Sequence, residues 1–204
     1  MRRAFGLTLL LVASLVACGG DDDRADEPTA TTAAPTTTET TGAAPVTPIA
    51  LRGDGLGVVT LGTTPEAAIA AVTAVLGAPT LDTGWKPSFT SSYGTCPGDQ
   101  TRAVEWEGLV LLHTDSDTAV GSGEHLFSWR ITGAPPAVAT ATGLGFGAVA
   151  ADAEELYPGQ VERVPAEEPF PAFLEIQAEG GLITAYLGEA EEITNLEAGA
   201  TCGE

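Results

Sequence analysis

Residues Thr64 to Pro79 read TPEAAIAAVTAVLGAP, and the fold follows from how this stretch begins and ends. Thr64 suits an N-cap, Pro65 the first helical position, and Glu66 the positive end of the helix dipole. Ile69, Val72 and Leu76 then fall on one face at helical spacing. Gly77 accepts a positive-φ stop and Pro79 blocks continuation. The same punctuation returns later. Gly55-Leu56-Gly57 leads into the first helix and Gly143-Leu144-Gly145 into a second pattern from about Ala148 to Tyr157, which ends at Leu156-Tyr157-Pro158-Gly159. Val149, Ala153, Leu156 and Tyr157 form the expected apolar stripe of this second helix, with Asp152, Glu154 and Glu155 on its wet side.

Strand signals follow each helix. Ala103–Trp106 and Leu109–Thr114 flank Glu107-Gly108, a hairpin turn, and Leu126–Ile131 alternates so that Phe127, Trp129 and Ile131 are expected on one face. In the second half Phe173–Gln177 and Leu182–Leu187 flank Glu179-Gly180-Gly181, and Ile193–Leu196 follows. The expectation is an α+β fold of two related halves, about 49–133 and 134–204. Each is a short helix plus three strands, with the helices packed on an antiparallel sheet. One half alone has little core, so the halves are expected to share one. The Gly-Leu lead-in, the short helix and the Leu-Gly-x-Pro or Tyr-Pro-Gly stop resemble the tandem modules of beta-lactamase-inhibitory-type proteins and the single module of small outer-membrane assembly lipoproteins. That resemblance implies protein binding. No segment aligns to a partner-binding surface of either family, so it assigns no functional residue.

The N-terminus is an address. Arg2 and Arg3 precede the apolar run Leu7–Val16, whose ten residues suit a signal peptide and fall short of the roughly 20 needed to span a bilayer as a helix. An ordinary secretory site wants a small residue at −3, where Leu15 stands. Leu15-Val16-Ala17-Cys18 instead resembles the lipobox of bacterial lipoproteins. That resemblance implies that residues 1–17 are removed and that Cys18 becomes the acylated first residue, anchoring the protein to the extracytoplasmic face of the cell membrane. Two acyl chains suffice for stable anchoring. Residues 18–48 then form the anchor and a Thr/Ala/Pro-rich tether that lacks aromatics and hydrophobic periodicity, as disordered segments do. Its length reaches roughly 30 Å as a coil and about 100 Å extended. Residues 49–204 form the domain.

The chain carries a formal charge of −20 and a single lysine, Lys86. Such an acid excess repels phosphate backbones and excludes nucleic-acid binding as the working function. It also disfavours docking on anionic headgroups, so membrane attachment falls to Cys18 alone. With Cys18 acylated, Cys96 and Cys202 remain as an even pair in an oxidising compartment, where a disulfide is expected.

Candidate chemistry is sparse. The long segment Asp82–Gln100 carries Trp85, Lys86, Phe89 and Tyr93 among Ser, Thr and Gly, a mixture suited to an adaptable binding surface. The alternative is that Trp85 and Phe89 pack down as core or as an extra strand. His113 and His125 bracket a loop with Asp115, Asp117 and Glu124, but Ala119 and Val120 stand where a calcium loop needs a ligand and a Gly. A solvated hairpin loop without a metal is the expectation there. Glu105 and Glu107 lie at strand spacing beside Trp106, and a glycan hydrolase requires such a carboxylate pair across a cleft. No nucleophile–base or phosphate-loop motif occurs, so neither catalytic residues nor a cofactor are assigned. The functional expectation is a lipid-anchored, non-enzymatic module that binds a protein or ligand. A wall-directed hydrolase or a structural envelope component are the alternatives.

Overall fold

In chain order, the computed structural model runs β1 (Ile49–Arg52), β2 (Gly55–Leu56), β3 (Val59–Thr60), α1 (Pro65–Leu76), β4 (Leu81–Asp82), β5 (Lys86–Pro87), β6 (Gln100–Trp106), β7 (Leu109–Thr114), β8 (His125–Ile131), β9 (Val138–Thr140), α2 (Ala150–Leu156), β10 (Val161–Val164), β11 (Phe173–Ala178), β12 (Gly181–Leu187) and β13 (Ile193–Gly199). It describes residues 49–135 and 137–203. The leader, Cys18 and the tether lie outside the described residues.

Mixed helix and antiparallel sheet make this an α+β fold. The large sheet has the order β10-β11-β12-β13-β8-β7-β6-β4, with β5 also pairing to β6, and every neighbour in it is antiparallel. A second sheet, β3-β2-β1-β9, gathers the two glycine-rich lead-ins, β1 pairing parallel to β9. Neither this sheet nor the short edge strands β4 and β10 was expected. Two- to four-residue strands carry too few alternating positions to register as a pattern.

One face of the large sheet is covered. Ala68 and Val72 of α1, Ala150 and Ala153 of α2, and Ile49, Leu51 and Leu56 of the small sheet pack with Val104, Leu111, Trp129, Leu174, Ile183 and Leu196 in one cluster. The indole N–H of Trp129 donates to the Arg52 carbonyl at 2.9 Å, and that of Trp106 to the Gly77 carbonyl at 2.9 Å. Both buried rings thus satisfy their one polar atom, and Trp106 at the same time fixes the end of α1. Where β1 turns into β2, a Cβ on Gly53 would run into the backbone of Gly181, so only glycine permits this approach of the small sheet to β12. Arg52 sits beside it, ion-paired to Asp54 at 2.8 Å and to Glu179.

α1 begins at Pro65 and stops at Gly77, whose φ is +82°. Its fully buried positions are Pro65, Ala68 and Val72, while Ile69 and Leu76 are only half-covered. α2 departs further from expectation. Ala150, Ala153 and Tyr157 are buried, but Val149 and Leu156 are 41% and 36% exposed. Val149 precedes the helix in extended conformation and pairs with Glu192, so helical periodicity does not apply to it. The turn Glu107-Gly108 has φ of 40° and 102°, the two positive values that a two-residue hairpin requires.

Phe127 does not share a face with Trp129 and Ile131. The register between β7 and β8 pairs Leu112 with Ser128 and His113 with Leu126, leaving Phe127 as an extra, bulged residue. The bulge shifts the alternation by one. Leu126, Trp129 and Ile131 therefore join the main core, while Phe127 packs on the opposite face with Cys96, Ala103, Val110 and Leu112.

Candidate functional site

The second face of the large sheet carries the candidate site. Ala185, Leu196 and Trp129 point into the core, and the alternation therefore turns Tyr186, Asn195, Glu197 and Arg130 to the other side. Tyr186 lies across from Asn195, and Glu197 across from Arg130. These four residues floor a groove of about 760 Å³. Ser92, Tyr93 and Gly94 line it, as do Phe170 and Pro171 from the β10–β11 connection and Thr201, Cys202 and Gly203 from the C-terminal tail.

The floor is polar and partly covered, with Glu197 its one fully buried residue. Glu197 is 3% exposed, and its Oε2 lies 2.8 Å from Arg130 Nε. Tyr186 donates its hydroxyl to the other oxygen, Oε1, at 2.9 Å. Burial, then the Glu197 charge and this hydrogen bond, push the Tyr186 phenol up to about 12. The Tyr186 ring is steadied by Phe173, with centroids 5.8 Å apart and the planes tilted. Arg130 Nε stays close to the carboxylate but out of line for a hydrogen bond, and Asn195 Oδ1 is buried without a partner among the described residues.

The walls are held from below. Cys96 and Cys202 stand at disulfide distance, 106 residues apart. Thr95 and Gly203 exchange two backbone hydrogen bonds of 2.6 and 2.9 Å. The Tyr93 hydroxyl is bound by the Glu105 carboxylate, and its ring packs on the small cluster around Phe127. The bulge at Phe127 thus supplies the apolar seat for the segment that forms one wall.

The four residues expected to make a binding surface do not converge. Tyr93 lines the groove. Lys86 sits on β5 and shares with Tyr93 a separate recess of about 240 Å³. Phe89 is 79% exposed on a single 3-10 turn, Ser88–Thr90, and Trp85 is half-buried outside both hollows. Part of the long segment, Lys86–Pro87, is an extra strand, but neither Trp85 nor Phe89 lies on it or in the core.

The loop between the two histidines lies at the surface, but the histidines that bracket it do not. His113 and His125 are 0% and 1% exposed. His125 is bonded at both nitrogens, to Thr118 Oγ1 at 2.7 Å and to the Gly123 carbonyl at 2.8 Å. Asp115 accepts from the backbone N–H of Asp99 and Gln100, and Asp117 from that of Gly123. These carboxylates tie down loops instead of meeting the imidazoles. Among the described residues no three such side chains are grouped to hold a metal ion. Glu107 lies in the hairpin turn, off the strand face that presents Glu105.

Burial lowers His113 to about 4; of its two ring nitrogens only Nδ1 has a partner among the described residues, the Arg102 carbonyl at 3.2 Å. The unfolded chain protonates this imidazole near its ordinary value of 6.5, whereas the folded chain resists down to about 4. Its stabilisation is therefore complete above pH 6.5 and is lost as the pH falls from 6.5 through 4. The loss amounts to about 3 kcal/mol. Urea unfolding across that window should show this extra slope in the parent and not in His113→Leu; equal slopes would refute it.

No described helix is long and apolar enough to cross a membrane. Comparison with family models, with curated proteins and with solved structures returned no match.

Proposed function

We propose that this chain is a non-enzymatic binding module, held by acylated Cys18 on the extracytoplasmic face of a bacterial membrane, with the groove as its binding surface. One observation carries the reading. A sheet face that could have been uniformly solvated instead carries a largely covered Arg–Glu pair, hydrogen-bonded by Tyr186 and flanked by segments joined through a disulfide. Buried charge is retained at a cost to stability, and binding sites are where that cost has a purpose. Glu105 is engaged by Tyr93 and Glu107 sits in a turn, which favours binding over hydrolysis by that carboxylate pair. The lipobox supports the anchor, and the acidic surface keeps the domain clear of anionic headgroups.

We infer, too, that the domain arose from two related halves. A helix followed by short edge pairing (β4 and β5 in one run, β10 in the other) and then three long strands occurs twice, and the last strands of the two runs, β8 and β13, pair at the middle of the sheet. On this reading the groove floor lies at the seam between the halves.

The test is site-specific photo-crosslinking of the lipoprotein in its own envelope. A benzophenone at position 170 should give one discrete adduct that is absent when the label sits at Phe146, away from the groove. Adducts at neither position, or equally at both, would remove the groove from the reading. Cys18→Ser should move the protein out of the membrane fraction.

A further inference from the structure

We propose that the groove opens onto a bare sheet face that takes a basic, partly apolar segment of a partner protein, an assignment that rests on the groove being the binding surface. The second face of the large sheet is unevenly covered. Over β6, β7 and β8, Tyr93, Cys96 and Cys202 pack on it. Over β10, β11 and β12 it is open. Leu174, Ile176, Ile183 and Ala185 are buried in the core, so Glu175, Gln177, Leu182 and Thr184 stand on the opposite side with Tyr186. Leu182 is 38% exposed there, and Glu162 and Gln177 are exposed as well.

Strand register sorts this face into rows. Val164, Phe173, Tyr186 and Asn195 form one, and Glu162, Glu175, Thr184 and Glu197 form the next. The first row is largely apolar. Its Phe173 and Tyr186 rings are 5.8 Å apart, and Phe170, 55% exposed, lines the groove beside Tyr186. The second row is acidic. Glu162 stands directly across from Glu175, where like charges repel, and neither is ion-paired among the described residues.

The cations that could answer these acids are placed elsewhere. Arg52 pairs with Asp54 and Glu179, Arg102 with Asp82 and Glu66, and Arg163 with Glu191. Arg130, at the border of the face, is taken by Glu197. Arg163 lies on β10 but is aligned with buried Leu174, so it points to the other side. An incoming anion would add to the repulsion between Glu162 and Glu175. A bare metal ion would find no third ligating side chain grouped with them among the described residues. A Lys or Arg side chain relieves the repulsion with its head and lays its aliphatic stem, or its charge, on the rings. Apolar side chains of the same segment then cover Leu182 and Phe170.

The full-length lipoprotein in phosphatidylcholine nanodiscs is titrated with a Leu/Lys amphipathic helix of about five turns and with its Leu/Glu counterpart, against empty discs. The Lys peptide should bind and should weaken at least about tenfold between roughly 50 and 500 mM salt, and the Glu peptide should not bind. Glu162→Gln combined with Glu175→Gln should weaken binding about tenfold. Glu154→Gln combined with Glu155→Gln, the same change of charge on α2, should stay within about twofold of the parent. Leu182→Ser should weaken it about fivefold through lost apolar contact. The Glu162/Glu175 double variant should melt no lower than the parent, because a cross-strand repulsion is removed. No binding by the Lys peptide, equal losses in the two double variants, or affinity indifferent to Leu182→Ser would each overturn the assignment. A failed titration combined with a protein adduct at position 170 overturns the basic partner and leaves the binding module standing. A failed titration without any groove adduct overturns both.

Discussion

Replacing Cys96 and Cys202 together by Ser should lower the unfolding free energy by about 4–5 kcal/mol, the chain-entropy value for a cross-link closing on the order of 100 residues. The separation here is 106 residues. In a domain of this size the loss corresponds to a fall in Tm of about 10–20 °C. The consequence should also be local. Without the cross-link, the tail is tied to the 92–96 segment chiefly by the Thr95–Gly203 hydrogen bonds and the packing of Tyr93 on the small cluster. Hydrogen exchange should therefore quicken at residues 92–96 and 200–203 and stay slow in β7, β8 and β13, whose ladders do not depend on the tail. Two free thiols in the native ectodomain would refute the disulfide outright. A double variant within about 1 kcal/mol of the parent would refute the stabilisation.

The limits of what the residues disclose follow from the range of the forces involved. α1 was legible because its signals are local: Pro65 at the start, Gly77 and Pro79 at the end. The hairpin at Glu107-Gly108 was legible for the same reason. The disulfide was read from compartment and count, with no knowledge of geometry. Phe127 was misplaced because a bulge is a property of pairing. The alternation Phe127, Trp129, Ile131 is intact in the sequence and broken only by the register with Leu112 and His113. Helical spacing fails at Val149, one residue outside the helix, and at Leu156, its last residue, whose side chain is 36% exposed.

The groove was invisible for a related reason. Its floor comes from three strands and its walls from three further segments, and these are spread over the chain from Ser92 to Gly203. One signal was there to be used. β13 reads ITNLEAG and β12 reads GLITAYL, so polar side chains alternate with apolar ones in strands that end up central. Polar residues on the second face of central strands mark a face that is open or built for a ligand. Aromatic content in the 82–100 segment drew attention to Trp85 and Phe89, yet exposure of a ring does not place it in a site.

Glu197→Ala should destabilise the domain by about 3–5 kcal/mol, because it leaves a guanidinium buried without its counter-charge. Arg130 is 14% exposed at the side chain, and Tyr186 would lose the acceptor for its hydroxyl in the same substitution. The pair itself is worth far less than this number suggests. Two charges withdrawn from water forfeit hydration of the same order as their mutual attraction, so removing both is a different experiment from removing one. Arg130→Met combined with Glu197→Leu should unfold within about 1 kcal/mol of the parent, or above it. A urea series on the parent, both single variants and the double variant would measure the coupling directly. Should Glu197→Ala cost under about 1 kcal/mol, the pair behaves as a solvated surface pair. If the two-residue replacement is stable but takes no ligand, the charged pair is kept for recognition and not for the fold. That outcome separates the two roles of Glu197, which geometry alone assigns to one carboxylate: its Oε2 beside Arg130, its Oε1 on Tyr186, and its burial at the centre of the groove.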